Sequence, residues 1–194
     1  NADGTRLIVA FHGGPIGAWD ITTDPARAVD YRPFAFDSIE NLNFNADQTL
    51  LAAGNIDGVV RVFDAFTLEN TLSLIGHESE VHDVRFLPPP DSGLISAGRD
   101  GTVRRWKLGP SAQRPMVLRG HTHLVHALAI ALGGRFVVTG SWDKTIRLFG
   151  LDDGIEVGRM EAGTFVQAIA ISPDERTIAT REYGGDIRLF DVAT

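Results

Sequence analysis

Short apolar–polar alternations follow one another along the chain in an order that repeats. One run returns five times, always ending in an aromatic residue: IGAW, VRVF, VRRW, IRLF and IRLF. Its aromatic residues, Trp19, Phe63, Trp106, Phe149 and Phe190, lie 44, 43, 43 and 41 residues apart. A second run precedes it four times, formed by Ile39, Leu42 and Phe44; Val81, Val84 and Phe86; Val125, Leu128 and Ile130; and Val166, Ile169 and Ile171. The last two residues of each set alternate as strand residues do. The step of three before them breaks the alternation and predicts a β-bulge at the start of the strand.

Each period reads as four short strands. Strand a carries the bulged triplet. Strand b is an apolar run such as Leu50–Ala53, Gly93–Ala97 or Arg135–Thr139, and strand c ends in the aromatic residue. Strand d follows a polar loop, as in Thr71–Leu74 or Pro115–Leu118. The turns Asp57-Gly58, Asp100-Gly101 and Gly184-Gly185 fall where b–c hairpins need residues that accept a left-handed backbone. No helical period of useful length appears. Four strands in a period of this length suit one blade of a β-propeller.

The expectation is an all-β chain of four-stranded antiparallel blades. Its repeats run approximately over 1–33 (lacking strand a), 34–75, 76–119, 120–161 and 162–194 (lacking strand d). That makes about four and a half blades, a partial ring within one domain. Further blades or other domains of a parent protein are therefore expected partners.

Composition narrows the function. A formal net charge of −7 disfavours a nucleic-acid backbone, which needs a surplus of Lys and Arg on one face. The absence of cysteine excludes disulfide and thiolate chemistry and fits a reducing compartment, so a cytoplasmic location is expected. Apolar stretches such as Leu124–Leu132 are broken by His126 and too short to span a bilayer, and no signal-peptide pattern opens the chain. Low Lys with high Ala, Gly and Arg points to a GC-rich bacterial source.

Residues 76–106 and 120–149, with Gly-His before strand a, Asp in the b–c turn and an aromatic ending strand c, closely resemble WD40 repeats. Three further copies resemble them more loosely. The resemblance implies a buried tetrad of His, Ser or Thr, Asp and Trp: His77, Ser96, Asp100 and Trp106 in one repeat, and His121, Thr139 and Asp143 in the next. Phe149 replaces the Trp there and removes its N–H donor. Ala35 and Phe63, and Ala162 and Phe190, hold the His and Trp positions in two other repeats, and Gly184 matches Asp143. A nucleophile needs a cleft with oxyanion donors nearby, whereas Ser96 lies inside an apolar strand without a strained elbow and its partner pattern ends in a Trp, so no catalytic residue is assigned.

His121, His123 and His126 fall within six residues, yet one is taken by the tetrad and no Cys, Asp or Glu stands at ligand spacing, so neither metal nor cofactor is expected. Arg105 occupies a slot held elsewhere by Val62, Leu148 and Leu189 and needs a carboxylate or an exposed setting. The resemblance implies binding on the face that bears the d–a and b–c loops. Two positions per blade face outward there: Ile56, Arg99, Trp142 and Tyr183, then Glu40, His82, His126 and Gln167. An exposed Trp142 beside Arg99, Tyr183, His82, His126 and Gln167 has the composition of an interface hot spot. The implied function is a non-catalytic scaffold binding a protein or peptide, with no nucleic acid or membrane partner. The alternative is the sensor propeller of a larger bacterial signalling ATPase or kinase.

Overall fold

The computed structural model describes residues 1, 3–11, 16–32, 38–109 and 114–192, with the side chains of 29–32 excepted. Among these, no helix occurs and eighteen strands form five antiparallel sheets. The first sheet holds β1 (Arg6–Ala10), β2 (Ile16–Asp20) and β3 (Arg27–Arg32). The second holds β4 (Ile39–Phe44), β5 (Leu50–Asn55), β6 (Val59–Asp64) and β7 (Asn70–Ile75). The third holds β8 (Val81–Phe86), β9 (Leu94–Gly98), β10 (Val103–Trp106) and β11 (Met116–Leu118). The fourth holds β12 (Val125–Ile130), β13 (Phe136–Ser141), β14 (Thr145–Gly150) and β15 (Glu156–Glu161), and the fifth β16 (Val166–Ile171), β17 (Thr177–Glu182) and β18 (Ile187–Asp191). Every sheet is a meander in chain order, so each strand pairs with its sequence neighbour. Among the described residues the first sheet shows strands b to d and the last shows strands a to c, and the ring is not closed.

The bulge read from the three-residue step is present in all four strands a. Pairing slips between Ile39 and Asn41, Val81 and Asp83, Val125 and Ala127, and Val166 and Ala168. The b–c turns take the left-handed backbone at Gly58, Gly101, Lys144, Gly184 and Gly185. At Gly58 the constraint is double, because a Cβ there would also stand 2.8 Å from the carbonyl of His77 in the next sheet.

The core lies between sheets and repeats one design. The aromatic residue of strand c pairs across to strand b: Leu51 with Phe63, Leu94 with Trp106, Val137 with Phe149 and Ile178 with Phe190. That face packs against the preceding sheet. It meets strand-c aliphatics there, Ile16 and Ala18, Val60 and Val62, Val103, or Ile146 and Leu148. Arg105 stands in this aliphatic row. Its guanidinium reaches Asp91 in the a–b loop and the carbonyl of Leu151 in the next sheet, so of the two settings the sequence left open, a carboxylate partner or exposure, the structure shows the carboxylate, Asp91.

Candidate functional site

One backbone contact recurs in four sheets and brings two loops to the same end. The residue before each turn position donates its N–H to the residue before strand a: Ile56 to Ser38, Arg99 to Glu80, Trp142 to Leu124 and Tyr183 to Phe165. The b–c turn is thus tied to the d–a loop of its own sheet, and side chains of successive turns line up along one edge of the arc.

Below that edge lie the polar clusters. In the third sheet Asp100 can only accept, so His77 Nδ1 donates to it, at 3.0 and 3.1 Å. Trp106 Nε1 can only donate, and does so to Ser96 Oγ at 2.8 Å. The Ser96 hydroxyl proton is then directed to His77 Nε2, 2.7 Å away. Asp100 also accepts from the backbone N–H groups of Glu78 and Thr102 and from the Thr102 hydroxyl. Gly98 makes the room, since a Cβ there would come within 2.5 Å of the imidazole. In the fourth sheet His121 lies 2.8 Å from Asp143 and 2.7 Å from Thr139 Oγ1, and Phe149 offers no donor. Burial opposes ionisation of both carboxyls, but the His77 and His121 hydrogen bonds, with those of Thr102, Thr145 and the backbone, hold Asp100 and Asp143 well below the ordinary carboxylate range.

Arg104 reaches Asp100 at 3.5 Å, whereas the equivalent Arg147 pairs with Glu156 on strand d at 2.6 Å and Arg61 grips Asp57 with two hydrogen bonds. Ala35, the His position of the second repeat, lies outside the described residues. The fifth sheet solves the missing turn Asp differently. Glu182, fully buried and two residues before Gly184, accepts from the backbone of Thr164 at 3.0 Å, as Asp100 does from Glu78. Counted from strand d, the His position there is Gly163 and not Ala162, because the d–a loop is one residue shorter. The Arg188 guanidinium lies over that glycine, and its Nε stands 3.5 Å from Glu182. Sequence reading missed Glu182 because it looked for an acid in the turn itself.

Along the loop-bearing edge runs a ladder of rings. His82 stacks on His126 at 5.3 Å, His126 on Trp142 at 6.4 Å and Trp142 on Phe165 at 5.2 Å. Tyr183 meets Phe165 edge-on at 6.1 Å, and the Lys144 ammonium stands 5.9 Å over Phe165. The ladder thus joins residues of the third, fourth and fifth sheets. Trp142 is half-buried rather than freely exposed, packed between the rings of His123, His126 and Phe165. Phe165 was absent from the sequence expectation, and His123 was weighed there only as a metal ligand and not as part of this face. The signal available was their placement beside strand a, but ring contacts between blades cannot be read from one period. Tyr183, 62% exposed, and Arg99, whose side chain is 62% exposed and bonded to Glu80 at 2.9 Å, are the outermost members.

His126 Nδ1 donates to the Gln167 carbonyl at 2.8 Å, so Gln167 contributes its backbone to the ladder. His82 Nε2 and Trp142 Nε1 are buried without a hydrogen-bond partner. Burial, helped by His126, holds the His82 imidazole below the ordinary histidine range against the pull of Glu40 and Glu80. His121, His123 and His126 turn to different partners, Asp143, the Leu124 N–H and Gln167. Among the described residues no three His, Asp or Glu side chains gather as a metal site.

Sheets of this build, with His–Asp clusters tying turn to loop, define a repeat protein of propeller blades. The WD domain, G-beta repeat family matches residues 35–64, 68–107 and 113–150, more than half of the chain, and the chain belongs to that family. It is similar to WD repeat and SOCS box-containing protein 1 of Homo sapiens, at 33% identity over 109 residues, covering 56% of this chain and 26% of that protein. The protein of the same name from Danio rerio matches with the same identity and coverage. Small ribosomal subunit protein RACK1 of Dictyostelium discoideum is 38% identical over 88 residues, covering 43% of this chain and 27% of that protein. The chain spans about a quarter of the length of these curated relatives. Proteins built of these repeats are generally platforms for protein interaction.

Proposed function

We propose that the chain is a non-catalytic interaction module that holds a protein or peptide partner on the loop-bearing edge. The observation that carries this reading is the ring ladder from His82 through His126, Trp142 and Phe165 to Tyr183, which crosses three sheets on one edge. Rings prepacked in this way lose little freedom on binding, and a contiguous aromatic strip with a guanidinium at its margin suits a protein surface better than a small metabolite. The Ser96 hydroxyl is buried and donates into the tetrad, which leaves it without the cleft that a nucleophile requires.

The test places a photo-crosslinking amino acid at Tyr183 in the protein expressed in its own cells. Leu132, equally exposed in an a–b loop at the opposite ends of the strands, serves as the control position. Adducts are expected from position 183 and not from 132. Arg99→Ala should weaken them by about 2 kcal/mol, the range of an interface anchor. Equal adducts from both positions, or none from 183, would overturn the proposal.

A further inference from the structure

The ring ladder begins with two imidazoles in contact, and their surroundings differ. His82 on β8 lies face to face with His126 on β12 at 5.3 Å, with 16° between the planes. The charged groups that face His82 are Glu40 on β4, 4.0 Å from its Nδ1, and Glu80 and Arg99 of its own sheet. An imidazolium carries N–H at both nitrogens. At Nε2 of His82, buried without a hydrogen-bond partner, nothing accepts it. His126 is placed the other way. Its Nδ1 already donates to the Gln167 carbonyl at 2.8 Å, a bond that a positive ring makes stronger. Its ring also lies flat against Trp142, with 8° between the planes, so the electron-rich side of the indole faces it. Lys144 stands further along, over Phe165. Two positive rings in contact repel each other, so the pair takes a first proton well before a second.

We propose that the His82–His126 pair is a proton-operated release for the partner: on acidification one proton enters at His126, and the charge it puts into the ladder loosens what is held there. The inference rests on the reading of this edge as the partner's seat. A partner that covers the rings takes water away from His126, which is half-buried already, and a charge deprived of water is costly. The covered ladder is therefore the neutral one, and binding expels the proton. Affinity is full where the pair is neutral and falls as the pair fills, by up to about tenfold per pH unit for a single proton. The charges around the pair stay constant meanwhile. The Ser79 hydroxyl holds the Glu80 carboxyl below the ordinary carboxylate range, and Glu80 remains paired with Arg99.

Two measurements separate the release from the seat. In the isotopically labelled chain, imidazole NMR spectra from about pH 8 to about pH 4.5 should show the two rings taking protons in separate steps, His126 first. His126→Asn keeps a side-chain N–H for the Gln167 carbonyl but has no site for the proton. It should move the His82 midpoint up by about half a unit or more, the repulsion of two charges ~5 Å apart even in water. For the partner, the photo-crosslinking residue at position 183 is used in a lysate of the protein's own cells at about pH 7.5 and about pH 5.5, either side of the ordinary imidazole range. With His126 intact, adducts should fall about tenfold or more at the lower pH. In the His126→Asn chain the ratio of the two yields should be near one, whatever their size, which also removes any titration of the partner itself. Circular dichroism checks that the strands persist at the lower pH. Rings that titrate together, equal yields with His126 intact, or the same fall in the His126→Asn chain overturn the release and leave the seat standing. Adducts at neither pH overturn both.

Discussion

The third and fourth sheets are built on the same plan and differ at one ring. In the third, hydrogen bonds run in one direction from Trp106 on strand c through Ser96 on strand b and His77 in the d–a loop to Asp100 in the turn. Every donor in that chain has one acceptor, so the tautomer of His77 is fixed. In the fourth, Phe149 sends nothing to Thr139, whose hydroxyl lies 2.7 Å from His121 and 3.2 Å from the Arg147 carbonyl. Strand c is tied outward instead, by Arg147 to Glu156 on strand d. The imidazole–carboxylate pair is thus common to both sheets and joins loop to turn, while the indole is a separate link that joins strand c to the rest.

The largest effects should come from the shared pair. Asp100→Ala strands His77, Glu78 and Thr102 donors, and Asp143→Ala strands the His121, Thr122 and Thr145 donors. Each should cost about 2–3 kcal/mol in urea denaturation, the penalty for buried polar groups left unpaired. Both carboxyls have folded values held below the ordinary 3.8. Their stabilisation is therefore present above that value and is lost as pH falls below it towards the folded value. The wild-type protein should lose stability below about pH 4, and each Asp→Ala variant should lose less over that interval. A large cost at Asp100 with none at Asp143 would mean that the pair works only with its indole.

The repeat, the bulges and the glycine turns were legible in the sequence because each is set by a local period or by turn chemistry that recurs at fixed spacing, whereas the His–Asp pairs came only with the family resemblance. The parts that were not legible depend on contacts between periods. Trp142 has the composition of an exposed anchor, but Phe165 of the next sheet stacks on it and half-buries it. Arg105 announced its need for a carboxylate or an exposed setting, but neither which of the two holds nor that Asp91 would supply the carboxylate. In the fifth sheet a one-residue shorter loop moved the His position to Gly163, and Glu182 took the role of the turn Asp from a neighbouring position. Compensation of this kind leaves no periodic trace.

A middle-sized effect isolates the indole. Trp106→Phe keeps the ring but removes the donor to Ser96 and leaves a void in the contact with Val60, Val62 and Leu74. The expected cost is about 1–2 kcal/mol, from one lost hydrogen bond and a small cavity. His77 should keep its contact with Asp100, so the acid-side loss of stability should be unchanged. A change in that acid profile would show that the indole and the carboxylate act as one unit, and the division drawn between them would fall.

The smallest effect, and the sharpest, comes from building the missing link into the fourth sheet. Phe149 is fully buried against Leu128, Val137 and Leu151, so Phe149→Trp alone must force a larger ring into a filled core. Overpacking of this kind costs about 1–3 kcal/mol, more than one new hydrogen bond returns. Thr139→Ser alone should cost roughly 0.5–1 kcal/mol for the lost methyl group. That same methyl is what differs from Ser96 at the equivalent place, and its removal gives the indole both space and a hydroxyl to donate to. The double variant should accordingly be more stable than the sum of the single costs, by a favourable coupling of about 1 kcal/mol in a double-mutant cycle. Its indole should also fluoresce like that of a buried, hydrogen-bonded ring. Additivity within about 0.3 kcal/mol would mean that the ring never reaches Thr139. The two sheets would then differ in more than one side chain, and the plan they share would stop at the His–Asp pair.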